Sequence, residues 1–572
     1  MTSPDLILHN ATVYTVDATD SVHQAVAVKD GRVAAIGTSK DVLALASSST
    51  RIVDLKGRAV IPGFVDSHPH MDGVGGQLIK PSFGVPASID DVLEVIRAEV
   101  KRHKPGEWVL FNGLIGEPDV YRYPDAFKEK RWPTRHDLDK VAPDNPIYIE
   151  APLMIARGAV LLNTAALKLL ALTRDSKPRA KLEMDRDQAG DLTGLFFDSN
   201  FPKARPETFD ANSLLTGPVL PTLGRDGSRR AVEAGMRAFN AAGVTAIYEG
   251  HGLPRGPQQA YVDLWNDHAL TVRTYFVIMY PIPMYADQAA GDALIKETAW
   301  YASGPGFGDD MLRFGGLGFS FDGTMTFGTP LMREPYVGVN GQLWHGMQHT
   351  SDENFLGILK RTAKAGLRVQ IKAAGSGAVD KILGMYEEIN AESPITDKRW
   401  VIEHCQFPSL ENMEACRRLG VIPTTTTNFI WNYGHVYVNY FGRDMANQAV
   451  PFRTWIDAGV PVAQSTDGRP FEPLFTFWQM LARKDGVTGD VYGLPEQKLT
   501  RQEALRLYTY NAARAAFWED RIGSLEIGKY ADLVVLSDDI MKMPEDEIPN
   551  TRVLATLLGG QPVHDTGIFS KL

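Results

Sequence analysis

The sequence contains very little cysteine and no long apolar run. With two cysteines among 572 residues, Cys405 and Cys416, no disulfide framework can be assigned, and a reducing compartment such as the cytoplasm is the expected location. No apolar stretch is long enough to span a bilayer. The first residues lack the basic region and apolar run of a secretory signal. These absences predict a soluble cytoplasmic protein without a membrane partner.

An excess of positive charge is also missing. Lys and Arg total 59 against 69 Asp and Glu, which gives a net charge of -10. General nucleic-acid binding requires a basic surface, so this function is not expected. An apolar share of 44% is normal for a globular protein, and the length suits one large barrel with additions rather than one small domain.

Short strands are predicted at both ends of the chain. Residues 24–36 alternate around Asp30-Gly31, as in a hairpin, and residues 552–564 form a similar pair around Gly559-Gly560. Either end alone would leave an apolar face uncovered. The pattern therefore predicts one β-sandwich built from both termini.

The middle of the chain alternates strands with helices. Apolar strand patterns such as 244–250, 271–279, 368–375 and 399–405 are separated by helical patterns such as 354–366 and 377–390. This alternation predicts a parallel sheet closed into a (β/α)8 TIM-type barrel, an α/β fold whose active site lies at the carboxyl ends of the strands. Residues from about 80 to 215 fit poorly and are interpreted as an inserted subdomain. The predicted boundaries are 1–62 and 521–572 for the two sandwich parts and 63–520 for the barrel.

The strongest local motif is His68-Pro69-His70, at the end of the apolar segment that begins at Val60. Residues two apart on a strand face the same side, so two imidazoles at this spacing can bind one metal ion. Two exposed loop histidines are the alternative. The position at a strand end, after Pro62-Gly63, favours metal binding.

Three further polar residues are predicted at strand ends: His404, Asp467 and Lys372. His404 is either a metal ligand or a hydrogen-bonded core histidine. Asp467 is either a ligand that also takes a proton from water or a helix N-cap. For such a site we expect one or two divalent ions, zinc first, with manganese or iron as alternatives if oxygen ligands prevail.

An ordered set of motifs resembles the amidohydrolase superfamily, specifically its family 3, or YtcJ-like, branch. The resemblance spreads over nearly the whole chain. Its segments include PGFVDSHPH (62–70), PTRHDLDKVAPDNP (133–146), AAGVTAIYE (241–249), FDG (321–323), IEHCQ (402–406), QSTDGRPFEP (464–473) and GSLEIGKYADLVVL (523–536).

The resemblance implies a (β/α)8 barrel with a composite β-sandwich and an inserted domain. It also implies hydrolysis of a C–N bond, usually an amide, in a small molecule. His68 and His70 match the paired metal ligands after the first strand, and His404 matches the ligand after the sixth. Asp467 matches the aspartate after the eighth strand, the usual ligand and proton shuttle.

The chain departs from this branch at three places. The fifth strand normally ends in a histidine, whereas this chain has Lys372. The branch tends to carry a lysine four residues before the Asp-Gly that matches Asp322-Gly323, and here that residue is Gly318. A Gly-His pair expected within 153–158 is also missing.

Lys372 therefore occupies a ligand position with a side chain that has no lone pair as an ammonium. It can be carboxylated by carbon dioxide and ligate through oxygen. It can remain a cation that takes no part in ligation and stabilises an oxyanion or a substrate carboxylate in catalysis. As a third account, the site has lost its metal and its activity.

Candidate substrate contacts come from other segments. His251 follows a predicted strand, and Asp322 belongs to the FDG segment. Trp431 and His435 lie in the aromatic-rich segment 428–442, which either shapes an apolar pocket or is simply a packed loop.

The predicted reaction is hydrolysis by metal-activated water, with Asp467 moving the proton and the metal, aided by Lys372, stabilising the oxyanion. A lyase, decarboxylase or hydratase on the same barrel is the first alternative, since Lys372 alters the ligand set. A metal-free small-molecule binding protein with a degenerate site is the second. We also expect a homodimer.

Overall fold

Eight parallel strands form the centre of the fold. Each strand is hydrogen-bonded to the next along the chain, and together they make a nearly closed barrel. The eight barrel strands are β1 (Phe64–Asp66), β2 (Val244–Tyr248), β3 (Arg273–Met279), β4 (Leu312–Ser320), β5 (Val369–Ala373), β6 (Val401–His404), β7 (Ile422–Thr425) and β8 (Ala463–Gln464). The computed structural model describes residues 3–111, 113–114, 123–151, 159–177, 182–198, 224–325, 328–338, 341–468 and 470–569.

The first and last barrel strands meet at their carboxyl ends. The Ser67 hydroxyl donates to the carbonyl of Gln464 at 2.8 Å, and the backbone N–H of Asp467 donates to the carbonyl of His68 at 2.9 Å. These bonds across the remaining gap place the residues after β1 directly beside those after β8.

The barrel strands are apolar because both of their faces are covered. All five residues of β2 and all five of β5 are buried, as expected for parallel strands between a filled interior and an outer layer of helices. The strands and helices quoted above are found within two residues of their predicted bounds.

Helices surround the barrel and begin at recognisable caps. Ser351 and Ser409 each accept the backbone N–H three residues on, and this satisfies a donor at the helix start. The helices are Ser39–Leu43, Met71–Leu78, Ile89–Val100, Arg135–Leu138, Thr164–Leu169, Gly224–Ala241, Arg255–Asn266, Gln288–Ala302, Asp352–Lys364, Ser376–Glu392, Leu410–Leu419, Asn428–Phe441, Arg443–Gln448, Phe452–Asp457, Pro473–Ala482, Arg501–Leu507 and Tyr510–Ala515, with 3-10 turns at Ile282–Tyr285 and Glu545–Asn550.

Strands from both ends of the chain share one sheet. Ala59–Pro62 pairs with Leu533–Leu536, and residues of both ends contribute to one apolar cluster with the neighbouring sheet. The predicted fold class, a barrel with a composite sandwich, is confirmed. The six-stranded sheet contains Thr12–Tyr14, Val22–His23, Ala59–Pro62, Leu533–Leu536, Val553–Leu558 and Gln561–Asp565, and the four-stranded sheet contains Leu6–His9, Ala25–Lys29, Arg32–Gly37 and Arg51–Asp54.

A third sheet lies between β1 and β2 in the chain and has its own apolar cluster. It falls in the segment predicted as an insertion, of which residues 112, 115–122, 152–158, 178–181 and 199–215 lie outside the described ranges. The domain boundaries themselves stay a prediction. Its strands are Val109–Leu110, Ile147–Ala151, Ala159–Leu162, Leu182–Arg186 and Leu192–Asp198, and the remaining short strands are Phe307–Gly308, Tyr336–Val337 and Leu343–Trp344.

None of the helices in the described ranges combines the length and the apolar character needed to cross a membrane.

Candidate metal centre

The carboxyl ends of β1, β2, β6 and β8 bring four polar side chains together. One ligand atom from each of His68, His251, His404 and Asp467 lies within 4.8 Å of the others. Nε2 of His70 lies 3.3 Å from Nε2 of His68 and 3.2 Å from Oδ1 of Asp467, so both imidazoles of the His-Pro-His motif face the same carboxylate. Residues far apart in the sequence thus converge at the barrel mouth.

Four of these residues share an uncommon backbone conformation. The φ angles of His70, His251, His404 and Asp467 are 59°, 55°, 69° and 55°. Only a few per cent of non-glycine residues adopt such left-handed values, and residues held in this way concentrate at functional sites. The backbone is therefore bent at each strand end so that the side chain turns into the barrel mouth.

The carboxylate of Glu403 contacts two of the imidazoles through their Nδ1 atoms. Its Oε1 lies 2.9 Å from Nδ1 of His68, and its Oε2 lies 2.8 Å from Nδ1 of His251. Burial alone would raise the pKa of this carboxyl, but the two imidazoles hold it well below its usual value. With each Nδ1 engaged by the carboxylate, the Nε2 atoms of His68 and His251 are left to face the centre.

The two carboxylates of the centre favour positive charge beside them. Burial lowers the pKa of His68, yet the carboxylates of Glu403 and Asp467 outweigh it and raise that pKa to about 10. Burial lowers the pKa of His404 well below its ordinary value and that of His251 to about 4. Two neutral imidazoles beside two carboxylates provide the donor set that a divalent metal ion prefers.

One buried ring nitrogen tests whether these residues fit a metal ion. Nε2 of His404 is buried and has no hydrogen-bond partner among the described residues, and its nearest acidic atom is Oδ2 of Asp467 at 4.0 Å. A buried polar atom without a partner costs free energy, on the order of 1–3 kcal/mol. A metal ion between the imidazole and the carboxylate would satisfy both, so these residues fit a divalent metal.

Gly250 leaves the space that the histidines occupy. A Cβ atom at this position would lie 2.4 Å from Nε2 of His68 and 2.9 Å from Cε1 of His70. No side chain fits there without displacing one of the two rings. Glu249, the preceding residue, accepts the backbone N–H of Met71 at 3.1 Å and so holds the turn after His70.

The polar contacts of Lys372 are with the loop after β4. Its Nζ donates to the backbone carbonyls of Asp322 and Gly323 and lies 3.4 Å from Oδ1 of Asp322. The same carboxylate accepts the backbone N–H groups of Leu331, Ala374 and Gly375. The lysine and the aspartate thus join the loop after β4 to the end of β5.

The aromatic-rich segment forms the helix Asn428–Phe441 rather than a loop, and its two candidate contacts, Trp431 and His435, have partners outside the group of ligand atoms. Trp431 packs against Phe475 and Trp478, with ring centres 5.1 and 5.8 Å away. Nδ1 of His435 lies 3.0 Å from the buried Asp485. Phe429, in the first turn of the same helix, is the residue of this segment whose ring lies beside the centre, 5.0 Å from the ring of His404.

Sequence reasoning missed Glu403 and Gly250, and it did not single out Phe429 within the aromatic-rich segment. Glu403 precedes His404 directly, and a glutamate next to a predicted ligand is a usable signal for an outer-sphere partner. Gly250 carries no such local signal. The departure noted at 153–158 lies outside the described residues.

Comparison with known proteins agrees with the geometry. The sequence matches the Amidohydrolase family over residues 51–564. It is 27% identical over 567 residues to N-substituted formamide deformylase of Arthrobacter pascens, covering 97% of each chain, and 24% identical to the putative amidohydrolase YtcJ of Bacillus subtilis, covering 98% of this chain and 99% of the other.

The fold is also found among solved structures. An uncharacterized metal-dependent hydrolase from Pyrococcus furiosus superposes with a TM-score of 0.71 at 22% identity, over 94% of this chain and 100% of the other. The resemblance read from the sequence is confirmed, since the family match extends over most of the chain. The chain belongs to the amidohydrolase family.

Proposed function

We propose that the chain hydrolyses an amide-type C–N bond of a small molecule with a divalent metal ion held by His68, His70, His404 and Asp467. Membership of the amidohydrolase family makes it a metal-dependent hydrolase acting on C–N bonds. The observation that carries the ligand assignment is the closeness of His68, His404 and Asp467, where Nε2 of His404 has no hydrogen-bond partner among the described residues. His70 joins them through its contacts with His68 and Asp467.

Asp467 is the residue assigned to proton transfer. A bound divalent ion supplies Lewis acidity and lowers the pKa of water towards about 7. Although burial opposes it, the neighbouring imidazoles, His68 first, hold the pKa of the Asp467 carboxyl well below its usual value. The ionised carboxylate accepts a proton as water attacks the carbonyl carbon, and it returns the proton to the leaving nitrogen. His68 and His70 orient this carboxylate from one side.

Lys372 is assigned a structural role as an ammonium. Its Nζ faces three oxygen atoms, two of them backbone carbonyls, and this surrounding suits a cation with three N–H donors. A carbamate would place anionic oxygens against the same acceptors. The lyase and the metal-free alternatives rest on the presence of Lys372 at a ligand position. Its contacts with the loop after β4 explain why a lysine stands there without either alternative.

The proposal also names a metal, a substrate class and an apolar substrate contact. Zinc suits a centre with more imidazole than carboxylate ligands. N-substituted formamides are the first substrate class to examine, because a relative of nearly equal length is named for deformylating them. Phe429 beside His404 would pack against an apolar group on the substrate. From the sequence, we also propose a homodimer and a cytoplasmic location.

The test is an assay of the purified protein on N-substituted formamides and other small amides. We expect release of an amine and an acid, loss of activity in chelator, and recovery with zinc. Asp467→Asn should lower kcat at least about 100-fold, the usual worth of a general base. Metal-loaded protein that cleaves no amide, or activity unaffected by chelation, would contradict the proposal.

A further inference from the structure

We propose that His251, at the end of β2, supplies the metal ligand that the fifth strand lacks. This inference rests on the proposed function, because it concerns the composition of the same centre. It assigns to the second strand of the barrel a ligand that the sequence motifs place on the fifth, where this chain has Lys372.

The position of the His251 ring supports this assignment. Its centre lies 4.4 Å from the ring of His68, 4.9 Å from that of His70 and 5.2 Å from that of His404. A residue that only lined a substrate pocket would not need to touch all three imidazoles. The ring is partly exposed, so it also borders the open side of the centre.

Glu403 holds His251 in the same way as it holds His68. Besides the 2.8 Å contact with Nδ1, the carboxylate accepts the backbone N–H of His251 at 3.1 Å. Metal-binding histidines commonly donate their second ring nitrogen to a carboxylate, which fixes the tautomer and orients the ring. One carboxylate therefore directs two Nε2 atoms, from β1 and β2, towards the same point.

Gly318 on β4 makes room for the bend that brings His251 into the centre. A Cβ at this position would lie 2.5 Å from the carbonyl oxygen of His251 and 2.9 Å from the backbone nitrogen of Gly252. Any side chain at position 318 would displace the segment that carries the histidine. The glycine at 318 and the left-handed backbone of His251 are therefore two parts of one arrangement.

Lys372 completes the arrangement because its amino group is used by the loop after β4. Its Nζ is committed to the carbonyls of Asp322 and Gly323, so the end of β5 offers no ligand. Two departures from the sequence pattern of the branch, glycine on β4 and lysine on β5, thus act together with the histidine at the end of β2.

The test compares metal affinity between variants, measured by competition with a chromophoric chelator and by the visible spectrum of the cobalt-substituted protein. His251→Asn removes the imidazole, and asparagine tolerates the left-handed backbone. We expect its zinc affinity to fall by more than the roughly 10–100-fold that loss of an outer-sphere partner costs. The cobalt spectrum should change in intensity and position.

Matched controls separate ligation from disturbance of the fold. His268→Asn alters an exposed histidine that also has a positive φ, 54°, and should bind zinc as the wild type does. Gly318→Ala should weaken zinc binding by displacing His251, whereas Gly384→Ala has open space and should not. If His251→Asn is poorly folded, His251→Gly decides the question, because glycine relieves the backbone.

The outcomes distinguish this inference from the proposed function. Wild-type protein that binds no metal would overturn both. Wild-type protein that binds zinc while the folded His251 variant binds it equally well, with an unchanged cobalt spectrum, would overturn the role of His251 alone. Weakened binding in the His251 and Gly318 variants, with both controls intact, is the expected result.

Discussion

Oε1 of Glu403 lies 2.9 Å from Nδ1 of His68, and no part of this carboxylate reaches solvent. The pair connects the sixth barrel strand to the first beneath the proposed metal. It fixes the direction of the imidazole before any ion arrives.

Glu403→Gln should therefore weaken metal binding without removing a ligand. The amide cannot accept from both Nδ1 atoms as strongly, so the rings of His68 and His251 lose orientation and basicity. We expect a 10–100-fold lower zinc affinity by chelator competition. Glu414→Gln, on an exposed face of its helix, serves as the control. An affinity equal to the wild type would mean that Glu403 does not position these ligands.

Gly250→Ala should abolish binding at the centre by steric means. The added methyl group would lie 2.4 Å from Nε2 of His68, well inside van der Waals contact, and the ring must move. We expect a folded protein by circular dichroism that retains little metal by elemental analysis. Gly76→Ala, where a Cβ meets nothing within 4 Å, should retain the wild-type metal content. Full metal occupancy in the Gly250 variant would contradict the described position of the ring.

Lys372→Met should destabilise the protein and spare the metal. The buried Asp322 carboxylate would lose its nearby cation, and breaking one partner of a buried ion pair costs about 3–5 kcal/mol in the free energy of unfolding. Thermal unfolding and metal content of the same sample measure the two effects. A carboxylated lysine ligand predicts the reverse pattern, with metal lost from the variant and wild-type binding that depends on bicarbonate.

We expect Asp137 to make a pH-dependent contribution to the stability of the inserted region. It pairs with Arg131 at 2.7 Å and with Lys140 at 3.2 Å, and against the effect of burial these contacts lower the pKa of its carboxyl below the usual value. A depressed pKa adds stability above the unfolded value of about 3.9, and this stability is lost as the pH falls through the folded value.

The midpoint temperatures of thermal unfolding of the wild type and of Asp137→Asn should consequently differ most between pH 5 and 7. The difference should shrink as the pH is lowered below about 4, where the Asp137 carboxyl of the unfolded wild-type chain takes up a proton while that of the folded chain still resists it. A difference that stays constant down to pH 3 would show that the charge of Asp137 contributes nothing to stability.

The strand-end rule allowed much of the centre to be predicted from sequence. His68, His70, His404 and Asp467 each follow an apolar run, and parallel strands place such residues at one mouth of a barrel. The structure brings them together for this reason. The sandwich could likewise be predicted, because each terminal strand pair had an apolar face that needed a partner.

Other features depend on contacts between distant segments and could not be predicted. Lys372 sits at a ligand position in the sequence, but its direction follows from the carbonyls of the loop after β4. His251 was a candidate only for substrate contact, because its place among the imidazoles depends on Glu403 and on the space above Gly318. Trp431 packs against Phe475 and Trp478, and no periodicity in the sequence links these residues to it.

The most direct test of the account is the metal content of the purified wild-type protein, determined by elemental analysis after removal of metal and reconstitution with zinc. We predict one or two equivalents per chain, with His404→Ala retaining far less under the same conditions. Less than a tenth of an equivalent in the wild type, or equal retention in the variant, would contradict the assignment of this centre as a metal site.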